Sequence, residues 1–352
     1  MDRSPNISVL LKRELSGMLS PGESKKQYLD ETRRKRSETK KELLAQGFSK
    51  QEANKMIQDI NSYRNKIFSY CTLEVYMKAA DAYAEFCEEH LGTKRISLEE
   101  AKKHVQEFVY WGIEKEHSPA TIHTRLSAVC KALGLNIADY DKPARHYSKT
   151  IRSTYDAQND DYNSIRAETA LTVNRLLGLR RSELKRVRLN DINIISDDYA
   201  EVYTRGKGGK KNVNILITED EVSQLKLYMI EAESQGREFL LPSDVFFDAD
   251  LHHARAQRAC DVYSAIYARI QANPACREYY KSEVKRAFEA NGKKLRENLD
   301  VPYRCRGENK KRLIKMGKKT IFDRVVVLYV SVFILNHYRS DTTVTHYLIK
   351  AL

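Results

Sequence analysis

Leu335-Asn336-His337-Tyr338-Arg339-Ser340-Asp341-Thr342-Thr343-Val344-Thr345-His346-Tyr347 places a histidine ten residues ahead of a tyrosine, and that tyrosine five residues from the C-terminus. One reading of this spacing is a tyrosine nucleophile serving a histidine-lined pocket. The other is a satisfied core histidine beside one of 21 tyrosines. The pair alone does not decide between them, so the decision passes to the sequence upstream.

Working outward, Leu177-Gly178-Leu179-Arg180-Arg181-Ser182-Glu183-Leu184 is an apolar helical run that closes on Gly178 and restarts a helix just after an arginine. Such a junction aims Arg180 out of the core while its neighbours stay packed. Next comes Arg205-Gly206-Lys207-Gly208-Gly209-Lys210-Lys211, flanked by the alternating runs Ala200 to Thr204 and Asn212 to Ile217. Two alternating runs around a glycine turn predict a β-hairpin with lysine at its tip. His252-His253-Ala254-Arg255 then opens a helical pattern in which His252 and Arg255 lie one turn apart on one face.

In order, the chain offers Arg180, Lys207, His252, Arg255, His337 and Tyr347 across roughly 170 residues. That order resembles the tyrosine recombinase (phage integrase) family. Four pieces carry it: the Gly-Leu-Arg-x-Ser-Glu-Leu box at 178–184, the Gly-Lys-Gly hairpin at 206–208, His-x-x-Arg at 252–255, and the terminal His337 to Tyr347 box. The resemblance covers roughly residues 65 to 352, because Thr72 to Leu135 also looks like the family's helical core-binding domain. It implies that Arg180 and Arg255 are the arginine pair, Lys207 the hairpin lysine, His252 and His337 the two histidine positions, and Tyr347 the nucleophile.

The chemistry explains those residue types. Breaking a DNA strand while conserving its bond energy requires a nucleophile that holds the phosphate covalently, and a phenol leaves a phosphotyrosine that a DNA hydroxyl can later attack. Charge gathers on the non-bridging oxygens of the transition state, and two guanidinium forks match it in bidentate geometry. The leaving 5′ oxygen needs a proton, which Lys207 can deliver. His252 can accept the phenolic proton, and His337 can hydrogen-bond the phosphate. This scheme calls for no metal and no cofactor.

Composition fits the same substrate. Lys and Arg number 61 against 48 Asp and Glu, a formal charge of +13, and the pI is near 9.3, as suits a protein that neutralises DNA phosphates. Charge alone leaves ribosomal, RNA-binding and membrane-surface readings open. Six scattered cysteines without a C-x-x-C pair argue for reduced thiols and against a zinc site. The N-terminus lacks the apolar stretch of a signal peptide, and the most apolar run, Val325 to Leu335, is too short to span a bilayer. A cytoplasmic location, in bacteria the cytoplasm or nucleoid, is expected.

A fold that is mainly α with a small antiparallel β-sheet is expected, divided into a basic helical arm (1–67), a helical core-binding domain of SAM-like type (68–140), a linker (141–163) and a catalytic domain (164–352). The arm is charge-rich with few large apolar residues, and Arg33-Arg34-Lys35-Arg36 gives it a basic surface that is either a DNA contact or merely solvated. From Thr72 onward Tyr76, Ala79, Ala80, Tyr83 and Phe86 share a helical face. Ser97-Leu98-Glu99-Glu100 predicts a capping box opening one helix that carries Val105, Phe108 and Trp111. Ser118-Pro119 opens another, with Ile122, Leu126 and Val129 inward. Lys102, Lys103, Arg125 and Lys131 are candidates for a DNA face here, and Lys210 and Lys211 for phosphate contacts on the hairpin.

The chain departs from the family in several places. The lead-in before the first arginine box is short, unless Tyr155 to Tyr162 adds structure. His337 stands 82 residues after Arg255, far more than the family usually needs, and the excess at 271–319 carries 15 basic against 6 acidic residues. This insert is either a solvated charged excursion or, on its charge, an additional DNA-contacting element with Lys310, Lys311 and Arg312 as contacts. Ala256 stands where a histidine is common, and Asn336 replaces the usual glycine, a substitution the left-handed backbone region tolerates. Few residues follow Tyr347, so subunit contacts are expected from elsewhere. The resemblance implies double-stranded DNA as partner, self-association into a tetramer during synapsis, a directionality factor, no membrane, and a site-specific recombinase that integrates or excises a mobile element. A resolvase or inversion enzyme acting on one replicon, a monomeric type IB topoisomerase, and a DNA-binding relative with a decayed site are the alternatives.

Overall fold

The computed structural model describes residues 5–57, 60, 65–145, 167–206, 211–246 and 249–349. Lys207, Lys210 and the segment Tyr155 to Tyr162 fall outside them. The chain forms two compact units, Met1–His146 and Tyr147–Leu352, and no described helix is long and apolar enough to cross a membrane.

In the first unit, α1 (Ile7–Gly17) is capped by Asn6, whose side chain accepts from the Ser8 amide. Its Ile7, Leu11 and Leu15 recur at helical spacing and are buried with residues of α4 (Tyr70–Leu91). This corrects the expectation of a separate arm: a three-residue stripe within a charged stretch suffices to bury one helix face. The charge-rich α2 (Lys25–Ala45) and α3 (Lys50–Met56) bury little beyond Thr32, Leu43 and Ala53. The helix expected from Ser97 is broken in two, α5 (Leu98–Lys103) and α6 (Val105–Glu114). Ser97 caps it as expected, accepting from the Glu100 amide at 3.1 Å. The Glu100 side chain, however, turns to Lys103 and His104 instead of closing the box. His104 sits at the break between Glu100 and Glu107. Phe108 and Trp111 still face inward with Tyr83, whose hydroxyl donates to the Ala101 carbonyl at 2.6 Å. α7 (Pro119–Leu133) closes the unit and ends on Gly134.

The second unit is mainly helical with a small antiparallel sheet. α8 (Ala167–Leu177) ends at Gly178, whose φ of +64° is left-handed. A Cβ there would lie 2.8 Å from Ile334 Cγ2, so the turn needs glycine on both backbone and packing grounds. The four-residue α9 (Arg181–Leu184) follows. The sheet runs β1 (Ile192–Ser196), β2 (Tyr199–Arg205), β3 (Lys211–Leu216), with Val202 opposite Asn214 and Arg205 opposite Lys211. α10 (Glu219–Ser234) and the long α11 (Leu251–Ala272) come next.

The segment 271–319 is no solvated excursion. It contributes α12 (Cys276–Ala290), β4 (Tyr303–Arg304) and α13 (Gly307–Lys315), and β4 pairs with β5 (Ile321–Phe322). Tyr280, Val284 and Phe288, one helical turn apart, join Leu299, Cys305 and Leu313 in the same core as α11 and α14 (Arg324–Phe333). Burial of those side chains, each contributing roughly 1.5–3 kcal/mol, outweighs the charge that made the segment look peripheral. α14 is almost wholly buried. After it come the short α15 (Ser340–Thr343) and a π-turn over Val344–Leu348 that carries Tyr347.

Candidate active site

Two sequence-distant segments, the start of α11 and the loop after α14, meet around the Tyr347 ring. The His252 ring centroid, on the first turn of α11, lies 5.3 Å from that of Tyr347, and the His337 centroid, on the loop after α14, is also 5.3 Å away. The Arg255 guanidinium carbon stands 5.8 Å from the ring centre. Tyr347 is 5% exposed, and its carbonyl accepts from the Cys260 thiol on α11. The local π-turn fits a wider pattern, since such turns recur at functional sites.

Arg255 is fully buried. Its Nη1 donates to the Gly178 carbonyl and its Nη2 to the Leu335 carbonyl at 2.5 Å, so one side chain ties the arginine box to the histidine loop. Burial pushes its pKa down and the Tyr347 oxygen raises it, but a guanidinium remains a cation. Arg180 is about one third exposed and bonds Glu183 Oε1 through Nη1 at 2.5 Å. Glu183, buried, also accepts from the Arg180 amide and lies 3.7 Å from Arg255. One carboxylate therefore answers two guanidinium groups. The excess positive charge, with Arg255 Nε buried and unpartnered, suits an anion beside Tyr347.

Sequence reading assigned no role to Glu183, although a glutamate at the third position of a helix can accept from the N-cap amide, as it does here from Arg180. Two buried asparagines were missed as well. Asn174 donates to the Leu251 carbonyl and accepts from the Leu179 amide, both at 2.8 Å, which fixes the turn before Arg180 against the start of α11. Asn214, on the inward face of β3, donates to the carbonyls of Leu177 and Ile334 at 2.9 and 2.8 Å and accepts from Asn336 at 2.7 Å. Asn336 takes the left-handed backbone in place of glycine, with φ +50°. The hairpin that carries Lys207 is thereby anchored at its base to both flanking motifs.

The insert supports the same loop. Tyr338, also left-handed at φ +58°, packs its ring on Phe288 of α12. Glu297 accepts from Ser340 Oγ at 2.6 Å and from Arg324 at 2.9 Å. Asn309 of α13 donates to Thr345 Oγ1 at 3.3 Å. Ala256 packs in the core beneath.

Away from Tyr347, Lys102 and Lys103 pair with Glu99 and Glu100 at 2.6 Å. Arg125 is half-buried with Nη1 lacking a partner. Burial, helped by the Lys25 charge, lowers Lys131 to about 8. Lys211 and Lys310 are exposed, Lys311 pairs with Glu308 at 2.9 Å, and Arg312 lies on α13.

His337 is held neutral. Burial first, then the charges of Arg255 and Arg180, push its pKa down to about 3. An ordinary histidine in the unfolded chain takes up a proton below about 6.5, so stability drains as pH falls from there toward 3 and is unaffected above it. We expect the melting temperature of the native chain to drop more steeply than that of His337→Gln between about pH 6.5 and pH 4. Parallel melting curves over that range would refute a buried neutral imidazole.

No family model matches the chain, and no curated protein does. Among solved structures the chain is similar to the XerH site-specific recombinase bound to palindromic difH substrate in a post-cleavage complex, with TM-score 0.43 and 14% identity over 98% of this chain and 92% of that one. It is also similar to the XerA recombinase, with TM-score 0.23 and 14% identity over 81% and 88%. A third is the Tn1549 transposon integrase in complex with circular intermediate DNA, with TM-score 0.24 and 13% identity over 53% and 87%. Two of those solved proteins are described as recombinases and the third as an integrase.

Proposed function

We propose that the chain is a site-specific DNA recombinase that cuts and rejoins strands through a 3′-phosphotyrosine held on Tyr347, and that it moves a mobile element into or out of a replicon. The observation that carries this is the gathering of His252, Arg255 and His337 around one phenol, beside two guanidinium groups that share a single carboxylate. A phenol flanked by imidazoles can lose its proton as it attacks, and the surplus cationic charge stabilises the phosphorane-like transition state. Arg180, being partly exposed, is the fork that meets the phosphate from outside; Arg255 meets it from within. Double-stranded DNA is the substrate, and self-association on it brings two sites together.

The test is covalent trapping on nicked duplexes tiling the DNA that flanks the chain's own coding sequence. A detergent-resistant adduct at a discrete position is expected, with the nucleotide on the Tyr347 peptide. An adduct on no fragment would sink the reading.

Lys207, the proposed proton donor to the leaving 5′ oxygen, has its own test. Replacing that oxygen with sulfur makes a leaving group that needs little protonation, so Lys207→Ala should cleave the 5′-phosphorothiolate nearly as fast as the native chain while Arg180→Ala does not. Rescue of Lys210→Ala in its place would move the donor three residues along the turn.

A further inference from the structure

The insert carries a second concave, cationic site. Between β4, α13 and the start of α14 lies an open cavity of about 390 Å³ whose lining includes Tyr303, Arg304, Arg306, Asn309 and Arg324, and no carboxylate. Arg324 forms a fixed wall: its Nε donates to the Val301 carbonyl at 2.9 Å and its Nη1 to Glu297 at 2.9 Å. Arg304 and Arg306 are exposed, and neither guanidinium has a hydrogen-bond or ion-pair partner among the described residues. Elsewhere in the insert Arg277, Lys281, Arg286 and Lys311 are each paired with a carboxylate. Two exposed forks without a carboxylate partner thus line one cavity.

Asn309 joins this cavity to the nucleophile segment. It lines the cavity and donates to Thr345, two residues before Tyr347. A ligand seated on Arg304 and Arg306 is therefore coupled through one side chain to the turn that presents the phenol. Guanidinium forks select tetrahedral phosphate or planar carboxylate oxygens by bidentate geometry, and the ligand that brings such a group to this segment is the strand being cut.

We propose that Arg304 and Arg306 form a second phosphate subsite, which grips a DNA backbone phosphodiester near the scissile one. This rests on the recombinase reading, and the experiment separates the two. Once trapping has mapped the cut position, duplexes carrying one neutral methylphosphonate at each successive backbone position around it are titrated by fluorescence anisotropy. The native chain and the double variant Arg304→Gln/Arg306→Gln are compared, both chosen substitutions being at exposed positions.

The native chain should bind several-fold more weakly when one particular phosphate outside the scissile position is neutralised, and the variant should be indifferent to that same position. The variant should also show a shallower dependence of log K on log salt, by about 0.9 for each phosphate it no longer neutralises. Superimposable scans would overturn the subsite. So would a rise in melting temperature of the DNA-free native chain with inorganic phosphate, absent in the variant, together with superimposable scans, which would mark a free-phosphate site. If the native chain binds no duplex at all, the recombinase reading fails first and the subsite falls with it.

Discussion

Tyr347→Phe should abolish the covalent DNA adduct while duplex affinity stays within a few-fold of the native chain. The substitution removes one oxygen and leaves the ring contacts to His252 and His337 in place. The Arg255 guanidinium also lies over the ring, which stays in place, so the loss in stability should be modest, at most on the order of 1 kcal/mol if the hydroxyl makes one hydrogen bond. Binding draws on many phosphate contacts that this side chain does not make, whereas cleavage needs the oxygen itself. Trapping by the Phe variant on a nicked substrate would pass the nucleophile to another tyrosine. Tyr338 would be tried first, although its ring is packed on Phe288 of α12 and turned to the insert.

The residues that gather around this phenol were singled out in the sequence by the resemblance of four short motifs to a known family, and the chemistry accounts for their types, since a phosphate suits guanidinium forks and a phenol suits a base. The hairpin was legible from its period of two, and α7 from Ser118 and Pro119. What escaped was set by long-range contacts. Asn214 bonds a carbonyl 120 residues away, and Asn174 one 77 away, so no local pattern marks either as the tie between motifs. The break at His104 depends on where Glu100 spends its carboxylate, a choice between Lys103 and the Ser97 amide that spacing alone does not make. The insert misled for another reason. Its charge is conspicuous, yet Tyr280, Val284 and Phe288 already stand at helical spacing, and this sparse stripe decides that the segment is core. The same excess of charge then had to be read residue by residue, since Lys311 is neutralised by Glu308 while Arg304 and Arg306 are not.

The two arginines should part company when each is replaced by alanine. On the proposed mechanism both variants should forfeit a charge-assisted hydrogen bond to the phosphate in the transition state, at a cost of roughly 10²-fold or more in cleavage rate by analogy with a missing oxyanion donor. Their stabilities should differ. Arg180 is about one third exposed and makes one ion pair, and water can replace what Ala removes, so its melting temperature should barely move. Arg255 is buried, and its loss leaves the Gly178 and Leu335 carbonyls without donors and weakens the charge balance around buried Glu183. Breaking a buried pair from one side typically costs about 3–5 kcal/mol, so Arg255→Ala should unfold at much lower denaturant. Adding Glu183→Gln to that variant should recover part of the stability, because the orphaned carboxylate is then neutral, yet none of the cleavage. Lysine at 255 should restore charge without the fork and leave at least one carbonyl unmet. Single-turnover cleavage and urea melts on the same four proteins decide the matter. Equal stability of Arg180→Ala and Arg255→Ala would mean that Arg255 does not brace the two loops it bridges.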